Sequence, residues 1–442
     1  MLLLAGLPAG GPAIAGALLR PAGEGGGPAA VLLPLQPVAD LPAALSAQLP
    51  RVSAGWVSGW SVALVPPRLA MKSAARAALP PALRPPEGNP GWPDNATVRV
   101  VLPVAVAGDR LRLRIANPYG SAALSVGAAT LAPGGDAARP GPGSLRRVTF
   151  GGRRTIVVPP GATVLSDPVR LAVAADGRVV VSLYFSGPVP RPAAAHAAPL
   201  GGLMVAGNAA ASPALPNGDA VSEVWFLAGL DVGGSRAAGT LAVIGDSLSD
   251  GGPDRWSWWL GRRLAAAGRP LGIANQAVAG NRLLSAAPAA APASGEAALA
   301  RLPRDVLALP GLSDLIVLEG SNDIGLASDG ETRPEAVIAA YRQIIAQARG
   351  RGVRVFLGTL PPFGAARYPG YFSPAKNRVR QAVNAWIRTA GEADGVIDFD
   401  AALRDPMRPH LLKAAFDAGD GLHINAAGQR AMAAAVPLSL LR

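Results

Sequence analysis

Hydrophobic positions follow two different rhythms along this chain. Through the first half, short runs rich in Val, Leu and Thr alternate with Gly/Pro turns. Examples are Thr97–Val106, Asp109–Ile115, Arg147–Phe150, Thr155–Val158 and Val179–Phe185. At Arg110–Arg114 the order Arg-Leu-Arg-Leu-Arg alternates strictly, the mark of a strand with one buried face. Turns are predicted at Pro159-Pro160-Gly161 and Ala174–Gly177, and the Pro/Ala-rich tract Ser186–Pro199 is predicted to be a loop. Several such strands without a convincing helix predict a β-sandwich.

Beyond residue 240 the rhythm changes. Leu241–Ile244 reads as a buried strand that ends at Gly245, and further strands fall near Leu271–Gln276, Asp314–Leu318, Val353–Gly358 and Gly395–Phe399. Helical spacing occupies Asp254–Ala267, Gly295–Leu309, Pro334–Arg349, Pro374–Ala390 and Asn425–Pro437. Short apolar strands separated by helices predict a parallel sheet covered on both faces. The expected strand order is the flavodoxin-like 2-1-3-4-5. The predicted organisation is a signal peptide or disordered extension over residues 1–30, an all-β sandwich accessory domain over 31–235, and a flavodoxin-like three-layer α/β/α domain over 236–442. Ligands of such sheets bind beyond the carboxyl ends of the strands, which says where chemistry belongs.

Candidate chemistry lies at those ends. The first strand runs into Gly245-Asp246-Ser247-Leu248-Ser249-Asp250-Gly251. A serine on a sharp turn just past a strand presents its hydroxyl to an incoming carbonyl; taken alone, the same tripeptide is a capped turn before a helix. A serine also needs a base. The chain has three histidines: His196 in the Pro/Ala-rich tract, His410 in a polar loop, and His423 just before the last helix. Asp420 precedes His423 by three residues, a spacing that in a tight loop lets a carboxylate orient the imidazole. Oxyanion donors have two candidates, the backbone N–H of Gly280 after the second strand and the side-chain amide of Asn322 in Gly320-Ser321-Asn322-Asp323 after the third. Individually, each of these residues has an ordinary reading as a turn or cap. Jointly they converge on one sheet edge.

The set resembles the SGNH, or GDSL-type, hydrolases. Gly245–Ser249 is similar to the family's first block, with the nucleophile at Ser247. Gly280 matches the second block's oxyanion glycine, Gly320–Asp323 the third block with its oxyanion asparagine at Asn322, and Asp420–His423 the last. Ile424 stands where many members have proline. The resemblance spans roughly residues 241–436. It implies a serine esterase that works through an acyl-enzyme without metal or cofactor. The catalytic residues would be Ser247, Asp420 and His423, and the oxyanion hole would be built from Ser247, Gly280 and Asn322. The implied substrate is a small-molecule or polysaccharide ester with a short acyl group, acetyl esters of carbohydrate included. The same machinery serves a lipase, an arylesterase or a thioesterase. The contrasting reading is a catalytically idle carbohydrate- or surface-binding protein. More loosely, Trp56-Val57-Ser58-Gly59-Trp60 and the overall layout are similar to exported bacterial members with an N-terminal β-sandwich.

Composition changes this picture little. The net charge of +12 is carried almost wholly by arginine, since lysine occurs only at Lys72, Lys376 and Lys413. The arginines are scattered, with no basic run or stripe of the kind nucleic-acid binding uses, so no nucleic-acid partner is expected. The chain has no cysteine, which excludes disulfides and thiolate chemistry, and its dispersed histidines predict no metal site. The first nineteen residues carry no charge and predict export to the periplasm or beyond. No uninterrupted apolar run reaches the roughly 20 residues of a membrane span. Trp56, Trp60, Trp92 and Trp225 are either a sugar-stacking platform or packing anchors, the second being the commoner role of large aromatics. The aromatics of Pro361–Phe372, after the fourth strand, line either a substrate pocket or a packed loop.

Overall fold

The computed structural model describes residues 55–67, 92–141, 143–215, 217–252 and 254–441. The candidate export segment at residues 1–30 lies outside them. The first half supplies β1 (Trp56–Ser61), β2 (Ala96–Val104), β3 (Gly108–Ala116), β4 (Leu124–Pro133), β5 (Arg146–Arg147) and β6 (Ile156–Val158). It continues with β7 (Thr163–Leu165), β8 (Val169–Val173), β9 (Gly177–Phe185), β10 (Ala195–Ala206), β11 (Asp219–Trp225) and β12 (Leu227–Gly233). They form two antiparallel sheets. One runs β1-β12-β3-β7 with β8 also on β3; the other runs β11-β10-β2-β9-β4-β5 with β6 also on β4. Alternation explains their packing. Leu111 and Leu113 of β3 are fully buried against Val98, Val100 and Leu102 of β2 and Val179 and Val181 of β9 in one core. On the other face of β3, Arg112 and Arg114 both reach Asp231 of β12, at 3.0 and 2.9 Å.

One expectation needs correction. The end of the tract predicted as a loop is strand instead, because β10 begins at Ala195 and runs through Pro199. Pro199 has no N–H to give to a ladder. The pairing of β10 with β11 slips between Ala197 and Gly202, and a proline is tolerated where such an irregularity interrupts the ladder.

The second half supplies β13 (Thr240–Gly245), β14 (Gly272–Asn275), β15 (Leu312–Leu318), β16 (Arg354–Gly358) and β17 (Gly395–Ile397). All pair in parallel, in the order β14-β13-β15-β16-β17, which is the predicted flavodoxin-like order. Their residues are nearly all buried, as expected of strands covered on both faces. The helices are α1 (Trp256–Ala266), α2 (Ala298–Asp305), α3 (Ser321–Gly325), α4 (Pro334–Arg349), α5 (Pro374–Thr389), α6 (Phe399–Leu403) and α7 (Ala426–Ala435). Both α4 and α5 open with a proline in the first turn, where a missing N–H costs nothing. No helix among the described residues is long and apolar enough to cross a membrane.

The halves share buried ground. Ser58 N–H of β1 donates to Thr240 Oγ1 of β13 at 2.9 Å, and the Thr240 hydroxyl donates onward to Pro310 O at 2.6 Å. Trp258 of α1 is buried in the core of the β-rich half. The candidate tryptophans are taken up in packing. Trp60 and Trp225 are buried, Trp92 lies between Trp225 and Arg191, and Arg112 covers Trp56.

Candidate active site

The site sits at the carboxyl edge of the parallel sheet. Beyond Gly245 the chain turns at once, and Asp246 organises the turn. Its carbonyl accepts the N–H groups of Ser249 (3.0 Å) and Asp250 (2.9 Å), and its carboxyl accepts that of Leu248 (2.9 Å). This leaves Ser247 partly exposed among buried neighbours. Facing this turn, the loop before α7 is built on two short side chains. Asp417 Oδ1 accepts the N–H groups of Gly419, Asp420 and Gly421, while Asn425 caps α7 through Gly428 N–H and donates to Ala415 O and Asp417 O. Gly421 has φ +74°, and a Cβ there would lie 2.0 Å from Ala365 O. Only glycine lets this loop cross so close to the neighbouring backbone.

These two loops bring three candidate side chains into line. Ser247 Oγ lies 2.9 Å from His423 Nε2, and His423 Nδ1 lies 2.6 Å from Asp420 Oδ2. Asp420 Oδ1 accepts the N–H groups of His423 (2.8 Å) and Leu422 (3.0 Å). Burial opposes the charge on Asp420. The hydrogen bonds from the His423 ring and from the His423 and Leu422 backbone outweigh that cost and hold its pKa well below the ordinary carboxylate range. An ionised Asp420 places the imidazole proton on Nδ1, so that Nε2 accepts the Ser247 hydroxyl.

The candidate oxyanion donors lie beyond two other strand ends of the same sheet, β14 and β15. Gly280 has φ +79°, and a Cβ there would meet Ser294 Oγ at 2.5 Å. Among the described residues, neither Gly280 N–H nor Ser247 N–H has an acceptor. Asn281 locks the turn, donating to Ser294 O and Glu296 O and accepting from Arg301. Asn322 opens α3. Its Nδ2 donates to Asn281 O at 2.9 Å, and its Oδ1 accepts the Tyr371 hydroxyl at 3.0 Å. The other two histidines lie elsewhere. His410 stacks on Phe372, and His196 of β10 faces Asp250 at 3.3 Å.

Behind the turn lie three buried carboxyls, Asp246, Glu319 and Asp323. Burial pushes Asp246 up to about 7 and raises Glu319 and Asp323 as well. Neither oxygen of the Glu319 side chain has a hydrogen-bond partner among the described residues, whereas Asp323 accepts the N–H groups of Leu283 and Leu284. Reading the sequence alone misses Tyr371, Asp417 and Asp250. Each acts through a partner that is distant in the chain or through backbone N–H groups, and no short motif records such partners.

Fold and site together define the class, a serine ester hydrolase. Residues 243–431 match the GDSL-like lipase/acylhydrolase family. Among solved structures, a GDSL-like lipase from Bacteroides thetaiotaomicron is 16% identical, over 46% of this chain and 88% of that one, with a TM-score of 0.35. The esterase EstA from Pseudoalteromonas sp. is 15% identical, over 45% and 93%, with a TM-score of 0.32. Axe2, an acetyl xylan esterase from Geobacillus stearothermophilus, is 19% identical, over 45% and 93%, with a TM-score of 0.33. No curated protein matches the chain by sequence.

Proposed function

We propose that the protein hydrolyses carboxylic esters of short acyl groups through an acyl-enzyme formed on Ser247. The observation that carries this reading is the unbroken hydrogen-bonded line from Ser247 Oγ through the His423 ring to Asp420. In the first half-reaction the Ser247 proton passes to His423 Nε2 as Oγ bonds to the ester carbon. The negative charge that forms on the former carbonyl oxygen is met by the N–H groups of Ser247 and Gly280 and by Nδ2 of Asn322. Collapse breaks the ester C–O bond, and His423 returns the proton to the departing alcohol. Water then attacks the acyl-serine, gives a proton to His423, and collapse releases the carboxylic acid and restores Ser247. Asp420 stays ionised throughout and holds the imidazole in its working tautomer.

A small acyl group is supported by crowding beside the imidazole. Tyr368 stands edge-on to His423 at 6.0 Å, and its hydroxyl reaches toward Asp420 Oδ2 at 3.4 Å. The packed tryptophans give no support to a sugar-stacking platform, so an acetylated carbohydrate would have to be held at the cleft itself. Hydrolysis of p-nitrophenyl esters from acetate to octanoate, beside acetylated xylan, tests the reading. The expected result is turnover that is highest with acetate and abolished in Ser247→Ala. An inactive wild type, or an active Ser247→Ala, would overturn the reading; a preference for octanoate would overturn the short-acyl part alone.

A further inference from the structure

We propose that the β-rich half belongs to the catalytic apparatus, with His196 of β10 acting as a positioning residue that sets the oxyanion turn at Gly280 through Asp250. The inference rests on the reading of Gly280 N–H as an oxyanion donor.

Asp250 is the junction. It lies three residues beyond Ser247 on the same turn, and its own N–H is held by Asp246 O. Its two carboxyl oxygens are divided between neighbours. Oδ2 accepts Ala279 N–H at 2.9 Å, one residue before Gly280, while Oδ1 faces His196 Nε2 at 3.3 Å. His196 and Ala279 N–H thus sit at opposite oxygens of one carboxyl, so His196 bears on the direction in which Asp250 holds the Gly280 turn. The His196 side chain is 6% exposed, and its strand is pinned as well, because Ala195 and Val65 exchange backbone hydrogen bonds at 2.9 and 3.0 Å.

Two other contacts press from the same side. Pro199 stands so close to Gly252 that a Cβ there would lie 2.8 Å from the proline ring. Val278, two residues before Gly280, is buried in a small cluster with Ala63 and Val65 of the β-rich half. The β-rich half therefore touches the segment before Gly280 directly, through Ala63 and Val65 on Val278, and the Ser247–Gly252 turn through Pro199 and His196. Oxyanion donors act by being aimed in advance at charge that develops only in the transition state. A turn that loses its grip therefore lowers kcat and leaves substrate binding largely alone.

The test compares the full-length wild type with His196→Ala, His196→Gln and Asp250→Asn. It reads kcat and KM on p-nitrophenyl acetate and the inhibition constant of phenylboronic acid, which becomes a tetrahedral anion on a serine. His196→Ala is expected to lower kcat about tenfold, to weaken the boronic acid by a similar factor, and to leave KM within about twofold. His196→Gln keeps an N–H that can reach Asp250 and is expected to recover most of the loss. Unchanged kcat and boronic-acid affinity in His196→Ala, or a loss expressed in KM alone, would overturn the proposal. Should His196→Ala not fold, Asp250→Asn decides on the same readouts: a kcat loss at constant KM supports the proposal, and an unchanged kcat overturns it. Failure of the esterase reading itself would appear separately, as an inactive wild type or an active Ser247→Ala.

Discussion

A serine hydroxyl becomes a nucleophile only when a neighbour takes its proton, and here each neighbour is in turn held by another. Asp420 orients His423, and the loop that carries both is tied by Asp417 and Asn425. Asp420→Asn removes the charge but not the shape, and is expected to cut kcat by about 10³–10⁴-fold while the protein still folds. Steady-state kinetics beside a thermal melt checks this, and a near-normal kcat would contradict the role. Tyr371 holds the other side. Its buried hydroxyl donates to Asn322 Oδ1, which keeps Nδ2 from trading places with the oxygen. Burial raises the Tyr371 pKa far above the ordinary phenol value, so the donor persists across the working pH range. Tyr371→Phe removes one hydrogen bond and is expected to lower kcat about fivefold with little change in KM; a change confined to KM would count against it. Ser247, Gly280, Asn322, Asp420 and His423 were legible in the sequence as candidates because each sits in a compact block at an element end. Tyr371, Asp250 and His196 were not, because they act across 49, 29 and 54 residues of chain.

Among elements, the five parallel strands and the longer helices were legible because their signals are local. Helix α4 occupies Pro334–Arg349, where proline at its start and apolar spacing on one face agree. Strand β4, with the sequence LSVGAATLAP, was not legible, because small residues blur its alternation and its burial comes from neighbouring strands. The short helix α3 reads in sequence as a turn, since five residues are too few to show a period. At this scale the buried carboxyls beneath the catalytic turn make a stability prediction. Asp246, Glu319 and Asp323 hold their protons more tightly folded than unfolded. As pH rises above the ordinary carboxylate range, the unfolded chain ionises first, so folding stability falls. For Asp246 this window runs from about 4 to about 7. Glu319→Gln removes one of the three contributions. Its effect on stability is expected to be more favourable at pH 8 than at pH 4, read from denaturant melts at both values. An effect that is the same at both pH values would show that Glu319 ionises folded and unfolded alike.

Over the whole molecule, the two halves meet through buried polar and apolar contacts rather than a linker. Ser58 bonds Thr240, the amide of Gln276 bonds the Ser61 hydroxyl, and Trp258 enters the core of the β-rich half. Differential scanning calorimetry is therefore expected to show one cooperative transition for these described parts. Two well-separated transitions, with esterase activity surviving the first, would contradict both this coupling and the role given to His196. The central claim remains the chemistry at one hydroxyl. Treatment with a fluorophosphonate, followed by digestion and mass spectrometry, tests it most directly. A single adduct on the peptide that contains Ser247, formed in step with loss of ester hydrolysis and strongly slowed in His423→Ala, is the predicted result. Loss of hydrolysis with the adduct on another residue, or hydrolysis that survives full modification of Ser247, would contradict the account.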